Sequence, residues 1–194
     1  MSPPLSGCWV FDLDGTLTVA QHDFAAIKQA LGLPADRPLL DGALASDDRE
    51  RVLAAIHDWE GSLAEQAVAR PGAAALLEAL GQRGIPAGVL TRNSRETALR
   101  TLRAAGLAGA IPADLVVGRD CAPPKPAPDG VHLVARRARR PATVMVGDFR
   151  FDLEAGRAAG AFAVWLDADR TGEHAHLADL VVHELSELMP AATT

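Results

Sequence analysis

The stretch CWVFDLDGTL, residues 8–17, decides the fold. Residues 8–13 read as a buried strand, apolar except for the aspartate near its end. Asp12 and Asp14 are two residues apart. In an extended chain that spacing points both carboxylates the same way, and Gly15 lets the backbone turn sharply where the strand stops. Two carboxylates so close repel unless a cation or a shared proton separates them. An Asp-Gly pair at a strand end also suits a plain turn, so the remainder of the chain has to choose between a turn and a site.

Outward from this strand, apolar runs at residues 85–90, 115–117, 143–146 and 163–166 predict further buried strands. Helical patterns with legible ends lie between them. Pro71 suits a first helical turn ahead of Leu76, Leu77 and Leu80, and Gly84 closes that helix. Asn93 with Glu96 predicts a capping-box start for the next, which carries Leu99 and Leu102 and stops at Gly106. Buried strands spaced by helices imply right-handed crossovers, hence a doubly wound, Rossmann-like α/β core with a parallel sheet covered on both faces. Residues 19–69 break this rhythm: helical patterns at 24–31 and 49–68 flank a proline-rich joint at 33–40, with no strand. The expected division is an α/β core of residues 1–19 and 69–194 with a small helical cap, 20–68. Ligands of open α/β sheets bind at the C-terminal ends of the strands, so the cap should overhang the site.

The 194 residues, 48% hydrophobic and 23% charged, suit one globular domain carrying an insert and exclude disorder. A net charge of -6, 4% aromatic residues and no tyrosine leave neither the basic field nor the stacking platforms of a nucleic-acid binder. The run Arg136-Arg137-Ala138-Arg139-Arg140 closes a helix, where cations favour the dipole and solvent. No uncharged apolar run approaches the roughly 18 residues of a membrane span. The first residues lack the basic flank and apolar stretch of a signal peptide, so the cytoplasm is the expected location. Cys8 and Cys121 make no disulfide framework and read as reduced, with Cys8 packed in its strand.

Three further elements follow in order at strand ends. Thr91-Arg92-Asn93 follows the second strand, Lys125 sits in the loop 123–126 after the third, and Gly147-Asp148 with Asp152 follows the fourth. A hydroxyl and backbone N–H groups at a helix start form a phosphate cradle, which suits Thr91 and its successors. Lys125 can supply a point charge to a transferring phosphoryl group, and Arg92 and Arg95 can add positive potential at the mouth. Among the cap residues His22, Phe24, Lys28, Arg37, Asp41, His57 and Trp59 are candidate substrate contacts, although packing or solvation is the commoner role for each one taken singly. His174 and His176 receive no role.

This ordered set resembles the haloacid dehalogenase-like superfamily, and within it the phosphoglycolate phosphatase-like enzymes with a small helical cap between the first and second motifs. The resemblance spans residues 10–166. It implies a magnesium-dependent phosphomonoesterase acting on a small soluble phosphate ester through an aspartyl-phosphate, with no nucleic-acid or membrane partner. On this resemblance Asp12 is the nucleophile and Asp14 the general acid/base. Thr91 and Lys125 complete the catalytic set, and Arg92 and Asn93 bind substrate. Mg2+ is held by Asp12, the backbone carbonyl of Asp14 and Asp148, with Asp152 orienting the metal shell. Phosphomutase chemistry on the same aspartates is the alternative within the superfamily, and a catalytically silent binding module on this fold is the alternative outside enzymes. The cap is shorter than in many relatives, which leaves the natural ester unassigned.

Overall fold

The computed structural model describes residues 2–21 and 23–189, so the candidate His22 lies outside the described residues. Six parallel strands form one sheet: β1 (Cys8–Phe11), β2 (Ala87–Leu90), β3 (Val116–Val117), β4 (Ala142–Gly147), β5 (Phe162–Leu166) and β6 (Leu180–Val182), in the spatial order β3-β2-β1-β4-β5-β6. The doubly wound α/β fold is thus observed, and β1, with both carboxylates at its end, lies centrally between β2 and β4.

Alternation along each strand builds a separate core on each face. Trp9, Phe11, Val89, Val144, Val146 and Val164 pack against Leu76, Leu77 and Leu80 of α4 (Ala73–Gln82) and Ala98 and Leu102 of α5 (Arg95–Ala104). Cys8, Val10, Leu90 and Met145 face Val131 and Val134 of α6 (Asp129–Ala138) and Ala155 of α7 (Arg150–Ala158). Both cores are apolar, as strands sealed on two sides require.

The chain leaves the sheet after β1 for three helices, α1 (Phe24–Ala30), α2 (Leu39–Leu44) and α3 (Arg49–Ala64), and returns beside its own exit. The two connections run antiparallel, with Thr18 bridged to Ala69 and the Val19 amide donating to the Val68 carbonyl at 3.0 Å. Among the described residues no helix is long and apolar enough to cross a membrane.

Four local expectations are corrected. Helix α4 starts at Ala73, behind Gly72 at φ +85, rather than at Pro71. Helix α5 is capped by Ser94, which accepts from the Thr97 amide, rather than by Asn93, whose side chain is engaged elsewhere. Helix α2 begins within the expected proline joint, directly after Pro38, because Leu39 and Ala43 can bury themselves against Val52 and Ile56 of α3. Strand β6 was not expected: three residues are too short for a pattern, and only its ladder with β5 defines it.

Candidate active site

The end of β1 is where the central strand runs out of neighbours and its polar residues take over. The Asp12 amide still donates to the Val146 carbonyl of β4 at 2.9 Å, which fixes the base of its side chain to the sheet. Gly15, at φ +90, then turns the chain beneath β4; a Cβ there would overlap the carboxylate of Asp148, so only glycine admits the approach. Thr16 uses it, donating its hydroxyl to Asp148 Oδ1 at 3.0 Å. Gly147 plays the matching part on β4, because a Cβ there would overlap Asp152.

Lys125 joins these acids. Its ammonium is ion-paired with Asp12 and lies 2.5 Å from Asp152 Oδ1, and its side chain is 3% exposed. Asp152 Oδ2 accepts from the Phe149 amide at 3.0 Å, closing the first turn of α7. Both oxygens of Asp152 are therefore engaged by protein donors, whereas among the described residues Asp148 accepts through Oδ1 alone. Asp14 stands apart from this group: its Oδ2 accepts from Asn93 Nδ2 at 2.7 Å, and Asn93 is set in turn by its own amide donating to the Thr91 hydroxyl at 3.1 Å.

The electrostatics follow from crowding: Asp12 and Asp152, both buried, share Lys125, and the half-buried Asp14 and Asp148 lie close by. Burial pushes Asp14 up to about 7, reinforced by the carboxylates of Asp12 and Glu60 and opposed by the Asn93 hydrogen bond. Asp148 is raised well above the carboxylate range by burial and by Asp12 and Asp152. Burial raises Asp152 to about 6 even though Lys125 works against it. For Lys125, burial alone would lower the value, but the Asp12 and Asp152 carboxylates outweigh it and hold the ammonium charged. Among the described residues Asp12, Asp148 and Asp152 have carboxylate oxygens within 4.8 Å of one another. Hard oxygen donors with negative charge exceeding what Lys125 supplies fit a divalent cation of the magnesium type.

Above the acids opens a cleft of about 840 Å³, lined at one end by Asp12, Asp14, Thr91, Arg92, Asn93, Lys125, Asp148 and Asp152, and farther out by residues of α1 to α3 and of the segments 149–154 and 173–177. The structure thus brings Asp12, Asp14, Thr91, Arg92, Asn93, Lys125, Asp148 and Asp152 to one place, whereas Asp41, His57 and Trp59 do not line the cleft. Arg92 also lines the cleft, but its guanidinium is committed to Asp41 of α2 at 2.5 Å. Arg95 is turned from the mouth: it donates to the carbonyls of Ala113 and Val116, bracing the turn before β3. Lys28 donates to the carbonyls of Ala35 and Arg37 within the helical segment, and Trp59 packs edge-on against Phe24.

Sequence reading missed the groups that join the helical segment to the sheet. Glu60 of α3 is buried with both carboxylate oxygens 2.8 Å from Arg119 Nη1, and the same nitrogen donates to the Arg92 carbonyl at 3.0 Å. The Arg119 amide donates to the Asn93 carbonyl at 2.9 Å, so one residue fastens both α3 and the Thr91–Asn93 turn. Arg100 of α5 adds a pair with Glu65 at 2.6 Å. Nothing local signals such partners. Phe149, Arg150 and His174 also line the cleft; a bulky apolar residue immediately after Asp148 was the one available signal.

The chain matches the family model of haloacid dehalogenase-like hydrolases over residues 35–160. It is 31% identical to an uncharacterised hydrolase of Saccharomyces cerevisiae over 195 aligned positions, covering 93% of this chain and 88% of that protein. Similarity to the phosphoglycolate phosphatase of Escherichia coli O157:H7 is 29% identity, covering 92% of this chain and 72% of the relative. The crystal structure of a hydrolase from Pseudomonas syringae superposes with a TM-score of 0.77 at 26% identity, over 94% of this chain and 96% of that one.

Proposed function

Because the chain belongs to the haloacid dehalogenase-like hydrolases, we propose that it is a magnesium-dependent phosphomonoesterase that hydrolyses a small phosphate ester of the cytoplasm through a phosphorylated aspartate. One observation carries the reading: Asp12, clamped by Lys125, and Asp14, clamped by Asn93, project from the same strand end into one cleft while held by different partners. Different partners give two like residues different roles.

Asp12 keeps one carboxylate oxygen clear of Lys125, and this oxygen attacks phosphorus. Asp14, protonated near neutral pH by its burial, donates its proton to the departing ester oxygen, which leaves as an alcohol. The Thr91 hydroxyl, oriented by the Asn93 amide, the backbone N–H of Arg92 and the Lys125 ammonium hold the transferring oxygens. Asp14, now a carboxylate, takes a proton from water as that water attacks the phosphorus of the aspartyl-phosphate, and inorganic phosphate is released. Asp12, Asp148 and the backbone carbonyl of Asp14 would hold a magnesium ion, while Asp152, with both oxygens occupied, positions Lys125. Bound there, the ion supplies the positive charge that lets a carboxylate approach a phosphate dianion. Residues 20–68 serve as the cap, which covers the cleft and selects the ester.

The test is a trapped intermediate. The p-nitrophenolate group leaves without a proton, so Asp14→Asn should release p-nitrophenol in a burst approaching one equivalent and then turn over slowly. Mass spectrometry of acid-quenched protein should find phosphate on Asp12. A folded variant that binds magnesium normally and yields neither burst nor phosphoprotein would refute the covalent route.

A further inference from the structure

The cleft is far larger than the chemistry at its floor requires. Its volume of about 840 Å³ lies in the upper part of the roughly 300–1,000 Å³ range of pockets that enclose drug-sized ligands. A leaving group of two or three carbons would abandon most of it to water. Beyond the acids the lining mixes charged and aliphatic side chains with three phenylalanines, Phe24, Phe149 and Phe151, of which Phe24 and Phe149 are exposed.

Phe149 follows Asp148 directly and keeps 45% of its surface exposed. Its ring is set rather than loose: it stands edge-on against Phe151, with centroids 5.1 Å apart, and against His174 at 5.4 Å. His174 is itself buried, tilted over Trp165 at 5.3 Å. Arg150 lays its guanidinium over Phe151, 4.9 Å from the ring centroid. From the helical segment α1 brings Phe24, 51% exposed, braced edge-on against Trp59. A single exposed apolar side chain needs no explanation. Here two exposed rings, one from each side, line the one cleft whose floor is the phosphate-reacting end, and the nearer is one peptide bond from Asp148.

We infer that, granted the phosphatase reading above, the ester's leaving group carries a flat aromatic ring that lies against Phe149 while its phosphate sits at Asp12. A braced phenylalanine face suits any planar ring, because every such ring offers a π-face, so the site selects by flatness and size more than by hydrogen-bonding pattern. Phe24 closes on the ring from the cap side, and the planar guanidinium of Arg150 beside Phe151 extends the same surface. The leaving group's ring can belong to a nucleoside or to a simpler benzylic alcohol; the chemistry that recognises it is shared.

The experiment measures phosphate release by the wild-type protein with added magnesium from three arms: glycerol 3-phosphate and phosphoglycolate, adenosine 5′-monophosphate, and benzyl phosphate. Stacking of one ring should raise kcat/KM of at least one ring-bearing arm over the small esters by roughly 5- to 150-fold, and which arm gains identifies the source. Phe149→Ala should cut the ratio of ring-bearing to small ester about tenfold through KM, and Phe149→Trp should restore it. Competitive inhibition of the wild type by adenosine or benzyl alcohol, at concentrations where glycerol has no effect, checks the same contact without any substitution. Small esters as the best substrates, an unmoved ratio in a folded Phe149→Ala protein, or no inhibition by the flat alcohols would each overturn the ring assignment and leave the phosphatase standing. No magnesium-supported release from any arm would overturn the phosphatase reading and this inference with it.

Discussion

At the C-terminal edge of the sheet Asp12, Lys125 and Asp152 are 8%, 3% and 2% exposed, with both acids paired to the one ammonium, whereas α1 in the segment above them buries no residue at all. The edge is anchored by backbone: β1 and β4 fix both ends of the acid cluster, and their glycines allow side chains to pass where a Cβ would collide. The helical segment has its own small core of Leu39, Ala43, Val52 and Ile56; it meets the rest of the protein where α3 packs along α5, and three ion pairs cross the junction, Glu60 with Arg119, Glu65 with Arg100 and Asp41 with Arg92. Groups that carry out chemistry gain from being preorganised, and a rigid sheet end supplies that. A cover that must admit a substrate gains from polar contacts that can be exchanged for water.

If the contrast is correct, perturbing the edge should destroy turnover and perturbing the attachments should change stability or selection. Asp12→Asn keeps the shape but removes the attacking charge and a metal ligand. Turnover should fall by three orders of magnitude or more, about 4 kcal/mol of barrier, with an unchanged circular dichroism spectrum. Near-normal rates in that variant would take the nucleophile's role from Asp12.

The next largest effect sharpens the division within the edge. Asp152→Ala should weaken activation by magnesium about 10- to 100-fold, as loss of an orienting partner does, and Asp148→Ala should weaken it further. A magnesium titration giving the reverse order would make Asp152 the direct ligand.

The edge should also show in stability against pH. Asp14 at about 7, Asp152 at about 6 and the raised Asp148 all bind protons more tightly when folded than the unfolded reference near 3.9. Between those values the folded state retains protons that the unfolded state has released. Metal-free protein should therefore lose stability as pH rises from about 4 through the values of Asp152 and Asp14 at about 6 and about 7. Magnesium at about a hundred times its Kd adds about 2.7 kcal/mol at the pH where its site is ionised, so thermal melts with and without EDTA should differ more at pH 7.5 than at pH 5. Equal shifts at both pH values would separate magnesium from these carboxylates.

Two smaller effects probe the attachments. Glu60→Gln removes the charge from a buried hydrogen-bonded pair and should cost about 2 kcal/mol in a urea titration, while relaxing discrimination among esters more than it slows hydrolysis of an activated aryl phosphate. Asp41→Asn acts on a pair whose acid is 49% exposed, so its cost should stay below about 1 kcal/mol. If Asp41→Asn proved the costlier, the attachment would run through α2 and not α3.

The residues that line the floor of the cleft were legible because Asp12, Thr91 and Asp148 each follow an apolar run directly, while Lys125 and Asp152 lie in the loop and the helix that come after such runs. The misreadings arose where one residue type serves two purposes. Asn93 followed by Glu96 has the look of a helix start, yet the cap went to Ser94 and the asparagine side chain to Asp14. Arg92 and Arg95 read alike, but one lies over the ring of Phe151 at the cleft and the other braces the turn before β3.

By itself the sequence determined the alternation of strands and helices, the parallel sheet and the placement of acids, hydroxyl and lysine at strand ends, because hydrophobic period, glycine turns and strand-end polarity are properties of neighbours in the chain. Only the tertiary structure decided which of those groups meet. Lys125 finds Asp12 across 113 positions, Asn93 finds Asp14 across 79 and Arg119 finds Glu60 across 59. Such partners are set by strand order and helix packing, and a buried charge or amide takes whatever partner the fold brings within reach, since leaving it unpaired would cost more than any local preference could return.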